Sequence, residues 1–295
     1  MVGKNLSCCL SAQSQILIPT STELNLLDYR AVSDYIGKHS PQMIIHCAGR
    51  VGGIHANMQH PFDFFYQNLE MGKNLILAAR ENNVEKLLNL ASSCIYPRNI
   101  EKPINESMIL KGELEPTNEA YALAKIAVLK LCQYISAENN FYKYKTIIPC
   151  NLYGPFDKFD PEKSHMIPSV IRKIHLAYAN NEDSVEIWGD GKARREFMYV
   201  GDLVEFIKKA VLDFELLPDI MNVGLGYDHS IDEYYEAVAR IVGYRGKFIH
   251  NVDKPTGMLK KVVDISRVSD FGWKAKTNLE DGIKLTYQYF KSVRN

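Results

Sequence analysis

The chain has 295 residues, 46% of them hydrophobic and 24% charged, enough for a full core and two closely joined domains. Lysine plus arginine and aspartate plus glutamate both number 35, so the formal net charge is zero, without the basic excess of a nucleic-acid binder. No apolar run is long enough to span a membrane and the first residues make no convincing signal peptide, so a cytoplasmic protein with no membrane or nucleic-acid partner is expected. The six cysteines, Cys8, Cys9, Cys47, Cys94, Cys132 and Cys150, include no Cys-x-x-Cys pair and do not cluster with histidine. That pattern argues against zinc and for reduced thiols.

In chain order, "VGKNL" (2–6) has the form of a glycine turn feeding a helix, with no strand ahead of it. "QILIP" (15–19) predicts a strand, and residues 29–39 predict a helix with Asp28 as N-cap. "MIIHCAG" (43–49) is a short apolar run ending in glycine, the form of a buried parallel strand. A long helix follows over 61–82 from Pro61, then a strand over 86–93, a helix over 118–139 and a strand over 145–154. Strand–helix alternation at this spacing predicts βαβ units, hence an α/β fold on a doubly wound parallel sheet. After Gly154-Pro155 the rhythm changes. Residues 155–164 are loop-like, and a helix (166–179) and a strand (185–189) follow. Residues 196–212 predict strand, turn and helix, and 220–224 a strand. The tail predicts a helix (231–242), a strand (247–250) and a last helix (279–292). The expected division is a first domain over 1–154, returning at 196–224, and a smaller α/β domain over 155–195 and 225–295. Ligands of open parallel sheets lie at the carboxyl ends of the strands, where "CAGRVGG", "SSCIYP" and "CNLYGP" fall.

Within "NEAYALAK", Tyr121 and Lys125 are four apart on a predicted helix and share a face. A nearby ammonium is expected to stabilise the phenolate and lower the tyrosine's pKa, suiting it to proton transfer with a substrate oxygen. Tyr-x-x-x-Lys alone arises on many helices by chance. Ser92, expected at a strand end just upstream, gives the pair a context, because its hydroxyl can bond the same oxygen.

Together these stretches resemble the extended short-chain dehydrogenase/reductase family, whose members act on nucleotide sugars. Within it they resemble the enzymes that epimerise and reduce GDP-4-keto-6-deoxy sugars. The matches run in order along nearly the whole chain: "ELNLLD" (23–28), "VGGIHAN" (51–57), "YQN" (66–68), "SSCIYP" (92–97), "LEPTNEAYALAK" (114–125), "NLYGP" (151–155), "SHMIP" (164–168), "WGDG" (188–191), "REF" (195–197) and "MNVG" (221–224). The resemblance implies a Rossmann-type first domain and a substrate-binding second domain. It implies a reductase triad of Ser92, Tyr121 and Lys125, and an epimerising pair of Cys94 and His165. A C4 ketone acidifies the hydrogens at C3 and C5. Inverting those centres needs one group to remove a proton and another to return it on the opposite face, work that suits a thiol and an imidazole. NADP is the implied cofactor, with NAD as the alternative. Its expected contacts are Gly3, Asn25, Asp28, Ala48, Gly49, Tyr121, Lys125, Asn151 and Leu152. For the GDP-sugar the expected contacts are Asn151, Arg172, Lys173, Trp188, Arg195 and Lys261, with Arg195 gripping phosphate bidentately and Trp188 packing on the base. A homodimer through the helices at 61–82 and 118–139 is also implied.

Two stretches depart from the family pattern. Gly3 aligns with the last glycine of the pyrophosphate turn, so the opening strand and earlier glycines are expected upstream of Met1. "IPTSTELNLLD" (18–28) offers no arginine for a 2′-phosphate, leaving Thr20, Ser21 and Thr22 as hydrogen-bonding groups. The alternatives are a GDP-4-keto-6-deoxy-heptose 4-reductase without full epimerase activity and an inactive, nucleotide-sugar-binding paralogue.

Overall fold

A computed structural model describes residues 1–9, 16–100, 102–160, 164–254 and 258–293. Helix α1 (Val2–Cys9) buries Leu6 and is tied down by Asn5, whose Nδ2 donates to the Pro155 carbonyl at 2.9 Å. Helix α2 (Tyr29–His39) begins where the sequence predicts, with the Asp28 carboxylate accepting from Ala31 N at 3.2 Å. Strand β1 (Met43–His46), helix α3 (Ile54–Gln59) and helix α4 (Pro61–Glu81) follow, α4 with proline in its first turn. Next come β2 (Lys86–Leu90), α5 (Glu119–Glu138), β3 (Lys143–Pro149) and β4 (Asn151–Tyr153). The second half holds α6 (Met166–Ala179), β5 (Ser184–Trp188), β6 (Arg194–Arg195), β7 (Phe197–Tyr199), α7 (Val200–Leu212), β8 (Ile220–Val223) and β9 (His229–Ser230). It closes with α8 (Ile231–Val242), β10 (Lys247–Asn251), β11 (Lys260–Lys261), α9 (Ser266–Asp270) and α10 (Leu279–Ser292).

The main sheet has the order β1-β2-β3-β8 with every pair parallel, as the alternation predicts. One face packs on α7 and α1 through Leu203, Phe206, Ile207 and Leu6. The other packs on α2, α4 and α5 through Val32, Ile36, Ile76 and Val128. Apolar cover on both faces is why these strands read as continuous hydrophobic runs. A separate core joins α6, α8 and α10 to β5, centred on Ile171, Ile174, Tyr234, Val238 and Phe290. Val263 and Val268, late in the chain, pack into the first core. No helix among the described residues is long and apolar enough to cross a membrane.

Two expectations need correction. Residues 16–19 form no strand, Gln15 lies outside the described residues, and Ile16, Leu17 and Ile18 are 36%, 37% and 55% exposed. Strand β1 pairs only with β2 among the described residues, so the apolar run finds no ladder to join, and a strand needs a ladder for its backbone groups. The single strand expected over 145–154 is two. Cys150 N still bonds Val223 O at 2.9 Å, but from Asn151 the chain leaves the main sheet and pairs with β7. The break is followed by Gly154 at φ +149°, where a Cβ would meet Val200 Cγ1 at 2.4 Å, so only glycine fits that turn.

Candidate active site

Strand β2 runs out at Leu90, and Ser92 continues extended at φ −156° and ψ 148° before a tight turn over Ser93–Ile95. That turn packs against the first turns of α5. Tyr121 is the third residue of α5 and Lys125 follows one turn later, so both side chains face the β2 end. The Ser92 hydroxyl lies close enough to Tyr121 and to the Cys94 thiol to favour the ionised form of each. Lys125 is 6% exposed, donates from Nζ to Leu90 O at 3.0 Å, and lies 5.8 Å from the Tyr121 ring centroid. Ser92, Tyr121, Lys125 and Cys94 therefore form one cluster at the carboxyl edge of the sheet.

Burial sets the protonation states. Tyr121 is pushed above its ordinary range by desolvation first, with the neighbouring Cys94 adding to the rise and the Ser92 hydroxyl opposing it. The expected lowering by lysine is thus overturned in this state, because Lys125 spends a proton on Leu90 O and sits over the ring, and desolvation wins. Lys125 falls to about 8, since burial disfavours its charge, with Cys94 and Cys47 partly restoring it. Cys94 is raised by burial and opposed chiefly by Lys261.

Lys261 reaches this cluster from β11, where it pairs with Arg195 of β6. Burial lowers both cations, and each lies within the field of further groups: Cys94 and Arg195 for Lys261, Glu115 for Arg195. The preceding Arg194 is spent differently, on Asp228 at 2.5 Å and Glu233 at 3.6 Å. A second group of expected substrate residues gathers around Glu186. Lys173 donates to its carbonyl at 2.7 Å and Trp188 Nε1 to its carboxylate at 2.9 Å. Trp188 is 54% exposed with Lys254 at 5.6 Å from its ring, and Arg172 is half-buried on α6.

The expected cofactor residues divide. Gly3 lies at the start of α1 against the end of β1, where a Cβ would sit 3.7 Å from Cys47 Cβ. A Cβ on Gly49, next to Ala48, would be 3.1 Å from Asn68 Oδ1 and 3.6 Å from Lys125 Nζ. Asn68 fixes that loop by accepting from Arg50 N at 3.0 Å and donating to Arg50 O and Phe64 O at 3.0 and 2.7 Å. Asn151 Nδ2 donates to Glu196 O at 3.0 Å, and Leu152 packs on the first core. Asn25 and Asp28 give their side chains to the turn before α2, Asn25 Oδ1 accepting from Leu27 N at 3.1 Å and Asp28 capping the helix.

His165 precedes α6, with Nδ1 3.7 Å from Asp157 Oδ1. Its loop abuts the glycines after β1: a Cβ on Gly53 would lie 2.9 Å from Ser164 O. A Cβ on Gly52 would lie 3.1 Å from Phe64, whose ring meets Tyr121 edge-on at 6.4 Å. Among the described residues no hydrogen bond or ion pair joins His165 to Cys94. Sequence reasoning passed over Asn68, Asn222 and Glu196, all buried. Asn222, polar inside the apolar "IMNVG", was the one with a visible signal. Its Oδ1 accepts from Tyr96 at 2.6 Å while Nδ2 donates to Ile104 O at 2.8 Å.

The residues present fit a dinucleotide. An ammonium carries three donors, Lys125 gives one to Leu90 O, and its Nζ borders the glycine loop at Gly49. A strand-end serine beside a tyrosine one turn ahead of a buried lysine, on a doubly wound sheet, is the arrangement of a nucleotide-dependent epimerase or reductase. The chain belongs to the NAD dependent epimerase/dehydratase family, whose model matches residues 3–224. It is 51% identical over 296 residues to the GDP-L-colitose synthase of Yersinia pseudotuberculosis, covering 100% of this chain and 96% of that protein. It is 47% identical over 291 residues to the GDP-L-fucose synthase of Azorhizobium caulinodans, covering 98% and 93%. A solved structure of a GDP-mannoheptose C4 reductase from Campylobacter jejuni with NADP bound superposes at a TM-score of 0.88, with 30% identity and coverage of 98% and 95%.

Proposed function

We propose that the chain is an NADPH-dependent epimerase and reductase of a GDP-4-keto-6-deoxy sugar, forming GDP-L-fucose or a related GDP-sugar. The observation that carries it is the single cluster of Ser92, Tyr121, Lys125 and Cys94. NADPH, when bound, supplies the hydride that reduces C4. Tyr121, held protonated by burial, donates its proton to the C4 oxygen, and Ser92 orients that exchange from beside Tyr121. Lys125 keeps a positive charge beside the reacting groups and offers its remaining donors to the cofactor, whose neighbours are Gly3, Ala48, Gly49, Asn151 and Leu152, with Asn25 and Asp28 at its far end. Cys94 and His165 move the protons at C3 and C5. Arg195 and Lys261, with Arg172 and Lys173, take the diphosphate, and Trp188 takes the base.

Residues 1–154 and 196–224 act as the cofactor domain and 155–195 and 225–295 as the sugar-nucleotide domain, although Val263 and Val268 of the second pack into the first core. The exposed Met58, Phe62 and Tyr66 of α3 and α4, with Leu123 and Tyr134 of α5, support a homodimer through these helices. Free cysteines on the described residues support a cytoplasmic setting.

The test is incubation with NADPH and GDP-4-keto-6-deoxy-mannose in D2O, read by NMR of the product. Reduction at C4 with deuterium at C3 and C5 is expected. Reduction without deuterium removes the epimerase half and favours the heptose-type reductase, to be tried with a GDP-4-keto-6-deoxy-heptose. No NADPH consumption with any GDP-4-keto sugar overturns the proposal.

A further inference from the structure

Glu196 lies between β6 and β7 and is 1% exposed. Its Oε1 accepts from Leu225 N at 2.5 Å and Gly226 N at 3.0 Å, and its Oε2 accepts from Val263 N at 2.8 Å. Its own carbonyl accepts from Asn151 Nδ2 at 3.0 Å. Four segments therefore meet on one residue: the end of β6, the start of β4, the loop after β8 and the chain just past β11. The loop after β8 comes close enough that a Cβ on Gly224 would lie 2.4 Å from Oε1. All three partners of the carboxylate are donors, so the site favours an acceptor-only group.

The ladder between β11 and β6 has two residue pairs, Lys260 with Arg194 and Lys261 with Arg195. A ladder that short sets register weakly. The bond from Val263 N to Glu196 continues the same alignment past its end. The two cations it aligns, Lys261 and Arg195, are partners across the ladder, and like charges held side by side repel. Both cations are half-buried, so an anion close to them eases their juxtaposition.

We propose that Glu196 is a positioning residue that fixes Lys261 beside Arg195 and offsets their repulsion, so that both converge on the diphosphate of the sugar nucleotide. This rests on the reading of the site as one for a GDP-sugar. Glu196→Gln keeps the volume but turns an NH2 toward backbone N–H groups. Titration calorimetry of the purified full chain with GDP and, separately, with NADPH tests it. The Gln variant is expected to bind GDP at least about tenfold more weakly, the loss of one charged hydrogen bond. KM for the keto sugar is expected to rise in step, while kcat and NADPH affinity stay within about threefold. In a Lys261→Met background the same change is expected to weaken GDP binding by less than about threefold, because the two act as a unit. Glu196→Asp, which retains the charge on a shorter arm, is expected to recover part of the GDP affinity, and carries the same cycle if the Gln variant does not fold. Unchanged GDP affinity, equal loss of GDP and NADPH binding, or full additivity with Lys261→Met overturns the proposal. If the unmodified protein binds NADPH but not GDP, the functional reading fails instead.

Discussion

Lys125 is held at about 8 by burial, below its ordinary value of 10.5, while Leu90 O fixes its position. The ammonium is intact below about pH 8 and lost above it. The rate of reduction, as kcat/KM, is therefore expected to fall as pH rises through about 8, and Lys125→Arg, whose guanidinium stays charged, is expected to lack that limb. Unfolding does not explain such a fall. Between about 8 and 10.5 the unfolded chain holds a proton that the folded chain has lost, so this group makes stability rise with pH across that window. Tyr121→Phe removes the proton donor and is expected to lower kcat by about 10²–10⁴-fold, with GDP affinity retained in calorimetry. Undiminished turnover would remove Tyr121 from the mechanism. The shared helix face of the two residues was legible from their spacing, but the direction of the tyrosine's shift was not, because desolvation depends on what the fold stacks around the ring.

Helix α4 lies against α5 at Gly72, where a Cβ would come within 2.4 Å of Val128 Cγ2. Gly72→Ala is expected to lose about 1–3 kcal/mol to overpacking, against about 1 kcal/mol gained in helix propensity, for a net loss. Thermal denaturation should show a lowered Tm, recovered in part by Val128→Ala. A Tm raised by Gly72→Ala would mean that the helices can separate at this point. The helices at 166–179, 231–242 and 279–292 form where the periodicity places them, and at the last two the caps help to explain why. Ser230 and Glu233 close a reciprocal capping box at α8, and the Asn278 side chain accepts from Asp281 N at α10. The run at 16–18 is apolar too, but among the described residues it pairs with no strand, and a strand's existence depends on a second chain segment in a way a helix's does not.

The two cores are joined where Asp202 of α7 accepts from Lys276 N and Thr277 N, each at 3.1 Å, just ahead of α10. Asp202 is 7% exposed. Asp202→Ala leaves two backbone donors without their acceptor and is expected to cost about 1–3 kcal/mol. Its signature is a lowered Tm with faster amide exchange at Lys276 and Thr277, while the pH limb assigned to Lys125 stays in place. Equal protection of those amides in both proteins would show that the junction does not depend on this carboxylate.

Sequence alone determined the parallel α/β sheet, the order of the long helices, the family and the identity of the strand-end serine, tyrosine and lysine. Those features rest on periodicity, capping and short motifs, all local along the chain. Only the tertiary structure decided that Arg194 belongs to Asp228 while Arg195 belongs with Lys261, that Lys261 bears on Cys94, and that Glu196 gathers four segments. Those pairings are between residues far apart in the chain, and neighbouring identical charges look alike until folding assigns each its partner.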